Sequence, residues 1–287
     1  MFDDHQPGTA VTMTLDNRFS IPDTTLMLHI RTISERQYLS PGIVPTKKPP
    51  LTKMKKNHSA SAPGTLYLVA TPLGNLEDIT LRALKILTEV DLIAAEDTRK
   101  AKKLLNHYQI KNPLTSYFEH TSFKKTQSLL SQLKRGKDIA LISEAGTPSI
   151  SDPGYKLTKC AIDNAINVIP IPGASALIAA LSASGLPTHN FIFEGFIPRK
   201  QGKRKKLFLS LQDQPRTLIF YESPRRLLAT LKDLFEVLGD RHIVIARELT
   251  KVYEEMIRGR TAEVIAQLED RTIKGEITLL VSKASSS

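Results

Sequence analysis

From Gly64 onward the sequence predicts an α/β protein of two α/β domains with a cleft between them, a parallel sheet in the first and a mixed sheet in the second. Three observations predict it. Short apolar runs alternate with stretches of helical period, which is the rhythm of βα units. The runs of the first half lack a polar face, as strands covered by helices on both sides do. In the second half, two strand-like runs are joined only by Glu248-Leu-Thr-Lys251. That link has hairpin length, so the strands it joins run antiparallel.

The first predicted strand, 66–71, ends in Thr71-Pro-Leu-Gly-Asn75. Pro72 fixes its own φ and restricts Thr71, while Gly74 can enter conformations closed to other residues. Asn75 or Asp78 then caps a helix over 79–89, whose apolar positions are Ile79, Leu81, Ala83, Leu84, Ile86 and Leu87. Strands at 92–95, 114–118, 139–143 and 168–171 alternate with helices at 98–107, 122–135 and 154–165. An alanine-rich helix, 174–184, is ended by Gly185 and Pro187, and the domain boundary is placed there, giving domains 64–185 and 186–283. The second domain carries strands at 191–196, 217–221, 243–247, 252–257 and 277–282, with helices at 203–212, 223–238 and 260–269. Residues 1–63 mix Pro7, Pro22, Pro41, Pro45, Pro49 and Pro50 with scattered Thr, Ser and Lys and show no sustained period, so they read as a poorly ordered extension. Residues 284–287 read as a tail. Met54, followed by Lys55 and Lys56 directly before the first strand, is read as an internal translation start that makes the upstream residues dispensable.

Composition narrows the function. Over 287 residues, 40 basic against 29 acidic side chains give a net charge of +11, which favours an anionic partner such as nucleic acid. A solvated basic surface gives the same count. The single cysteine, Cys160, excludes an intrachain disulfide framework and fits a reducing cytoplasm. Beside Leu157 and Ala161 it reads as buried packing. No apolar run approaches the roughly 18 residues of a membrane helix, and Asp3 and Asp4 open an N-terminus with no secretory pattern. Phosphate-loop, dinucleotide and zinc motifs are absent, which argues against a sugar-nucleotide enzyme and gives no metal ligand set.

What remains is a set of turn-rich loops following consecutive strands: Glu96-Asp-Thr-Arg99, Ser143-Glu-Ala-Gly-Thr-Pro-Ser-Ile-Ser-Asp-Pro-Gly154 and Pro170-Ile-Pro-Gly-Ala-Ser175. Each alone reads equally as a helix cap or a turn. Together, at the carboxyl edge of one sheet, they form a pocket of backbone groups and small side chains suited to a polar ligand.

Thr71-Pro-Leu-Gly-Asn75, Ala95-Glu-Asp-Thr-Arg99, Ala145-Gly-Thr-Pro148 with Ser151-Asp-Pro-Gly154, Pro172-Gly173, and Phe220-Tyr-Glu-Ser223 with Ala246-Arg-Glu-Leu-Thr-Lys251 together resemble the tetrapyrrole methylase superfamily, and within it the ribosomal RNA branch. The resemblance runs from about Gly64 to Ser282. It implies two α/β domains with S-adenosylmethionine in the cleft, a homodimer, and methylation of a cytidine ribose 2′-hydroxyl in the decoding centre of 16S rRNA of the small ribosomal subunit. The cofactor-binding loops it implies are Pro72, Leu73, Gly74 and Asn75; Ser143, Glu144, Ala145, Gly146, Thr147 and Pro148; and Gly173, Ala174, Ser175 and Ala176. Glu144 stands where the family has aspartate, and Ala174 where it has proline.

Ribose methylation is an in-line displacement, so positioning should dominate, with one acid–base group of secondary weight. The sequence offers Glu96, Asp97 and Glu222 as bases, each equally able to pair with Arg99, Arg225 or Arg247. Arg99 and Lys251 are candidate phosphate or transition-state contacts. For RNA, Arg199, Lys200, Lys203, Arg204, Lys205 and Lys206 put six basic residues in eight positions, with Arg225 and Arg226 adjoining. Two other readings stay open: a methyltransferase of the same fold acting on a corrin or porphyrin precursor, and a non-catalytic RNA-binding assembly factor.

Overall fold

The computed structural model describes residues 62–118 and 123–283; the expectations for residues 1–61, the internal start at Met54 and the tail lie outside them. The described residues form ten strands and eight α-helices in two sheets. The first sheet is β1 (Thr65–Val69), β2 (Leu92–Ala95), β3 (Leu114–Ser116), β4 (Ile139–Ile142) and β5 (Asn167–Ile171), in the order β3-β2-β4-β1-β5. All of its pairings are parallel.

Alternation along these apolar strands feeds two cores. Val69, Ile93, Ala95, Ala140 and Ile142 pack with Ala83, Leu84 and Leu87 of α1 (Leu81–Glu89) and with Ala101 and Leu105 of α2 (Thr98–His107). Leu66, Ala94, Ile139 and Leu141 point the other way. They meet Leu129, Leu130 and Leu133 of α3 (Phe123–Lys134) and Leu157 and Ala161 of α4 (Tyr155–Asp163). Burial on both faces is why β2 and β4, in the middle of the sheet, carry no polar position. Cys160, on α4, is half-buried rather than buried.

The second sheet is β6 (Phe191–Phe196), β7 (Thr217–Glu222), β8 (His242–Arg247), β9 (Glu255–Arg260) and β10 (Ile277–Val281), ordered β6-β7-β10-β8-β9. Only β6 and β7 pair in parallel; the other ladders are antiparallel, so the sheet is mixed. One face packs on α6 (Gln201–Ser210), α7 (Leu227–Leu238) and α8 (Thr261–Leu268). The other packs on α5 (Ala176–Ser184), through Leu177, Ala180 and Leu181 against Ile219, Val244, Ala246 and Leu280.

That last contact corrects the reading of the chain at Gly185. α5 precedes the expected boundary yet buries its apolar side on the second sheet, so the packing changes hands before α5. Three local expectations also shift. Asn75 caps only a short 3-10 turn, Leu76–Asp78, and Thr80 rather than Asp78 caps α1, its Oγ1 accepting from the Ala83 N–H at 3.0 Å. β9 starts at Glu255, because Val252 and Tyr253 form the exposed tip of the hairpin. α7 starts at Leu227, after the turn at Pro224.

Candidate functional site

Three of the loops singled out by sequence converge at Gly146. Its N–H and C=O exchange two hydrogen bonds of 2.9 Å with Thr71, tying the loop after β4 to the loop after β1. Thr147 Oγ1 donates to the Ala174 carbonyl at 3.2 Å, which adds the loop after β5. Gly146 has a φ of +80°, and a Cβ there would lie 3.2 Å from Leu73 and 3.6 Å from the Ala174 oxygen. Glycine is needed for both the conformation and the close approach.

The second sheet closes the site through the β8–β9 hairpin. The Asn75 N–H donates to Thr250 Oγ1 at 3.2 Å. Lys251 lies across Gly74, where a Cβ would come 2.3 Å from its Cγ, and its Nζ donates to Glu248 at 2.7 Å and Glu276 at 3.1 Å. Of the six described non-glycine residues with positive φ, four (Ser149, Ser151, Glu248 and Thr250) lie on this hairpin or on the loop after β4. Backbone strain of this kind persists where surrounding contacts over-determine the geometry, and it concentrates at binding sites.

These loops enclose a cavity of about 470 Å³ between the two sheets, within the range of small-molecule sites. Leu73, Ala145, Gly146, Thr147, Ser175 and Ala176 line one side, and Tyr221, Ala246, Leu249 and Thr278 the other. Its charge is the reverse of the chain's. Among the described residues five carboxylates line it, from Glu96, Glu144, Asp152, Glu222 and Glu276, and no lysine or arginine does.

These carboxylates are not equivalent. Glu222 is buried and fully engaged: Arg226 pairs with it, Thr230 Oγ1 donates at 2.7 Å and the Ser223 N–H at 2.6 Å. Glu144 pairs with Lys100, and its N–H donates to Glu96 at 3.2 Å. Burial, with Glu144 and Asp97 adding repulsion, holds the Glu96 carboxyl above its usual range. Asp152, which sequence reading left out of the site, forms no ion pair among the described residues. Burial, reinforced by Glu96, Glu144 and Glu276, pushes its carboxyl up to about 7.

The tetrapyrrole (corrin/porphyrin) methylase model matches residues 65–265. The chain belongs to the tetrapyrrole methylase family. It is 54% identical over 218 residues to a ribosomal RNA small subunit methyltransferase I of Halalkalibacterium halodurans, covering 76% of this chain and 75% of that one. It is 51% identical over 219 residues to the protein of that name from Thermotoga maritima, covering 76% and 98%. Among solved structures, a cobalt precorrin-4 methyltransferase shares the fold at a TM-score of 0.57 and 16% identity, over 76% of this chain and 94% of that one. A diphthine synthase does so at 0.59 and 14%, over 76% and 90%. Like other tetrapyrrole methylases, the protein is a methyltransferase whose methyl donor is S-adenosylmethionine.

The cavity of this tetrapyrrole methylase fits that donor. A sulfonium and an ammonium suit a pocket whose charged lining, among the described residues, is all carboxylate, and the glycine and alanine positions leave backbone groups open to a polar ligand. Of the residues implied as cofactor contacts, Leu73, Glu144, Ala145, Gly146, Thr147, Ser175 and Ala176 line it directly. Pro72, Ser143 and Pro148 are buried behind the wall. Gly173 packs against Ala70, Ala174 braces Thr147, and Gly74 and Asn75 meet the hairpin.

Other expectations are redirected. Asp97 does not line the cavity. It caps α2, accepting from the Arg99 N–H at 2.7 Å and pairing with the Arg99 guanidinium at 3.1 Å, which with these hydrogen bonds holds its carboxyl down to about 2. Arg99 is otherwise solvent-exposed and Lys251 is held by two carboxylates, so neither reaches into the cavity. In the basic run, Arg204 is buried against Asp233, its Nε donating at 2.6 Å, and is not available to a phosphate. Lys205 pairs with Glu236, and Arg226 is tied to Glu222 and to the Ile197 carbonyl. Arg199, Lys200, Lys203, Lys206 and Arg225 are exposed and make no ion pair among the described residues. Along α6 the four-residue spacing that buries Phe208 buries Arg204 as well, where Asp233 of α7 meets it.

Proposed function

We propose that this enzyme transfers the methyl group of S-adenosylmethionine to a cytidine ribose 2′-hydroxyl in the decoding centre of 16S rRNA, acting on the small ribosomal subunit as a cytoplasmic homodimer. Methylation of small-subunit ribosomal RNA is supported by relatives of that name, half identical over three quarters of the chain. One observation carries the reading. In a chain of net charge +11, the charged residues lining the cavity are, among the described residues, all carboxylates, and the cavity adjoins a groove edged by Arg199 and Arg225. A cationic donor and an anionic acceptor are thereby drawn to adjacent places by fields of opposite sign.

When bound, the donor supplies an electrophilic methyl group. The chain's own part is mostly positioning. The Gly146 convergence and the hairpin clasp fix the cavity walls, and a fixed geometry can supply up to ~7–11 kcal/mol of the barrier. For the hydroxyl proton, Asp97 and Glu222 are both engaged in structural pairing, which leaves Glu96 and Asp152 facing the cavity. Asp152 is the better base, because a carboxyl half-ionised near neutral pH combines proton affinity with availability. A carboxylate-rich precursor such as a porphyrin would meet Glu96 and Asp152, the two lining carboxylates without an ion pair among the described residues, and would find no lining lysine or arginine among those residues to bind it.

Incubation of the protein with labelled S-adenosylmethionine and unmodified small subunits tests the reading. One labelled 2′-O-methylcytidine per subunit is expected. Label in a tetrapyrrole precursor instead, or binding of subunits with no transfer, overturns it.

A further inference from the structure

Beside the cavity lies a second concavity, floored by Ile197, Pro198 and Ser223 and edged by Arg199 and Arg225; Phe196 belongs to both. Phe196 is 61% exposed, unusual for a phenylalanine in a strand. Its position follows from a local irregularity. Residues three apart on a regular strand face opposite sides of the sheet, yet Phe193 and Phe196 both touch Tyr221, with ring centroids 5.0 and 5.4 Å away. The register of β6 against β7 shifts between them, where Gly195 has a φ of +70°. A bulge of this kind re-aims a side chain next to a functional site. The fold thus turns an aromatic face toward solvent, at the cavity mouth, beside two arginines that make no ion pair among the described residues.

We propose that this concavity seats the nucleobase of single-stranded RNA adjoining the methylated nucleotide, the base stacked on Phe196 and its phosphates against Arg199 and Arg225. The proposal rests on the RNA reading above and adds where the strand lies. Aromatic stacking with flanking cations is how proteins hold splayed-out bases. An apolar peptide would have no use for the arginines, and the groove runs directly into the donor's cavity.

The test measures methylation kinetics on unmodified small subunits for the wild type and for Phe196→Ala, Phe196→Leu and Phe196→Tyr. Phe196→Ala and Phe196→Leu are expected to raise KM for subunits about tenfold or more, and Phe196→Tyr to stay within a few-fold of the wild type. Calorimetric affinity for S-adenosylmethionine and the sedimentation profile should be the same in all four. Leucine keeps packing on Tyr221 without an aromatic face, so it separates stacking from folding. Wild-type KM in Phe196→Leu, or loss in Phe196→Tyr equal to that in Phe196→Ala, overturns the proposal. Weaker donor binding assigns the ring to the donor site, and an altered oligomeric state assigns it to an interface between copies; either result also overturns it. If the wild type itself transfers no methyl group to subunits, the RNA reading fails first and this proposal falls with it.

Discussion

Two regions of the molecule crowd charges of one sign, and they resolve the crowding in opposite ways. On and around α6, six basic residues fall within eight positions. The fold removes Arg204 into a buried pair with Asp233 and ties Lys205 to Glu236, leaving the others on the surface. Around the cavity, five carboxylates face one space. Glu222 is neutralised by Arg226 and Glu144 by Lys100, while Asp152 makes no ion pair among the described residues. The difference teaches that charge density marks a region, whereas the partner of each group marks its role. A paired charge holds the fold; a charge left without a counter-ion by a folded structure is available to a ligand.

The comparison breaks first at Arg204. Arg204→Ala leaves the buried Asp233 carboxylate with only Gln201 at 2.8 Å and Lys205 at 3.8 Å, and should cost about 3 kcal/mol of stability, read by denaturant unfolding. The double substitution Lys203→Ala with Lys206→Ala, on the same helix, should leave stability within about 0.5 kcal/mol. Equal losses in both would mean that the basic run is structural throughout.

Asp152 is the next largest effect. Asp152→Asn should lower turnover by ~10²–10⁴-fold with donor affinity nearly intact. In the wild type, turnover should climb as pH rises through about 7, where this carboxyl ionises, and that limb should vanish in the variant. The same group has a stability signature. Its folded value is raised, so the protonated form is favoured by folding and stability declines as pH rises from the usual aspartate range toward about 7. Asp152→Asn should flatten that decline. A persistent activity limb in Asp152→Asn transfers the role to Glu96.

Smaller effects sharpen the contrast. Removing the exposed charges at Lys203 and Lys206 should reduce the salt slope of RNA binding by up to ~0.9 per lost contact on a duplex, ~0.7 on a single strand. An unchanged slope means that they do not touch phosphate. Asp97→Asn, which keeps an N-cap but loses the Arg99 pair, should leave turnover within a few-fold. Asp97's folded value is depressed to about 2, so its contribution to stability is present above the ordinary aspartate value and is lost as pH falls from about 4 to about 2. A large loss of turnover in Asp97→Asn would return it to the chemistry.

The loops that build the cavity were legible because their chemistry is local. Pro72, Gly74, Gly146 and Gly173 announce sharp turns, and the apolar runs before them announce parallel strands that put those turns on one edge. Asp152 was not legible as a site residue, because its displaced proton affinity comes first from burial and then from Glu96, Glu144 and Glu276, which three separate segments bring together. Nor was Phe196, whose exposure comes from a bulge within β6.

By itself, then, the sequence determined the alternation of elements, the parallel and mixed sheets, the turns at the carboxyl edge and the family motifs, since propensity, period and glycine geometry act within a few residues of the chain. Only the tertiary structure decided that α5 serves the second sheet, that Arg204 and Arg226 are anchors and that Asp152 faces the cavity among other carboxylates. Burial and Coulomb interaction depend on distance in space, and a linear order of residues does not carry that distance.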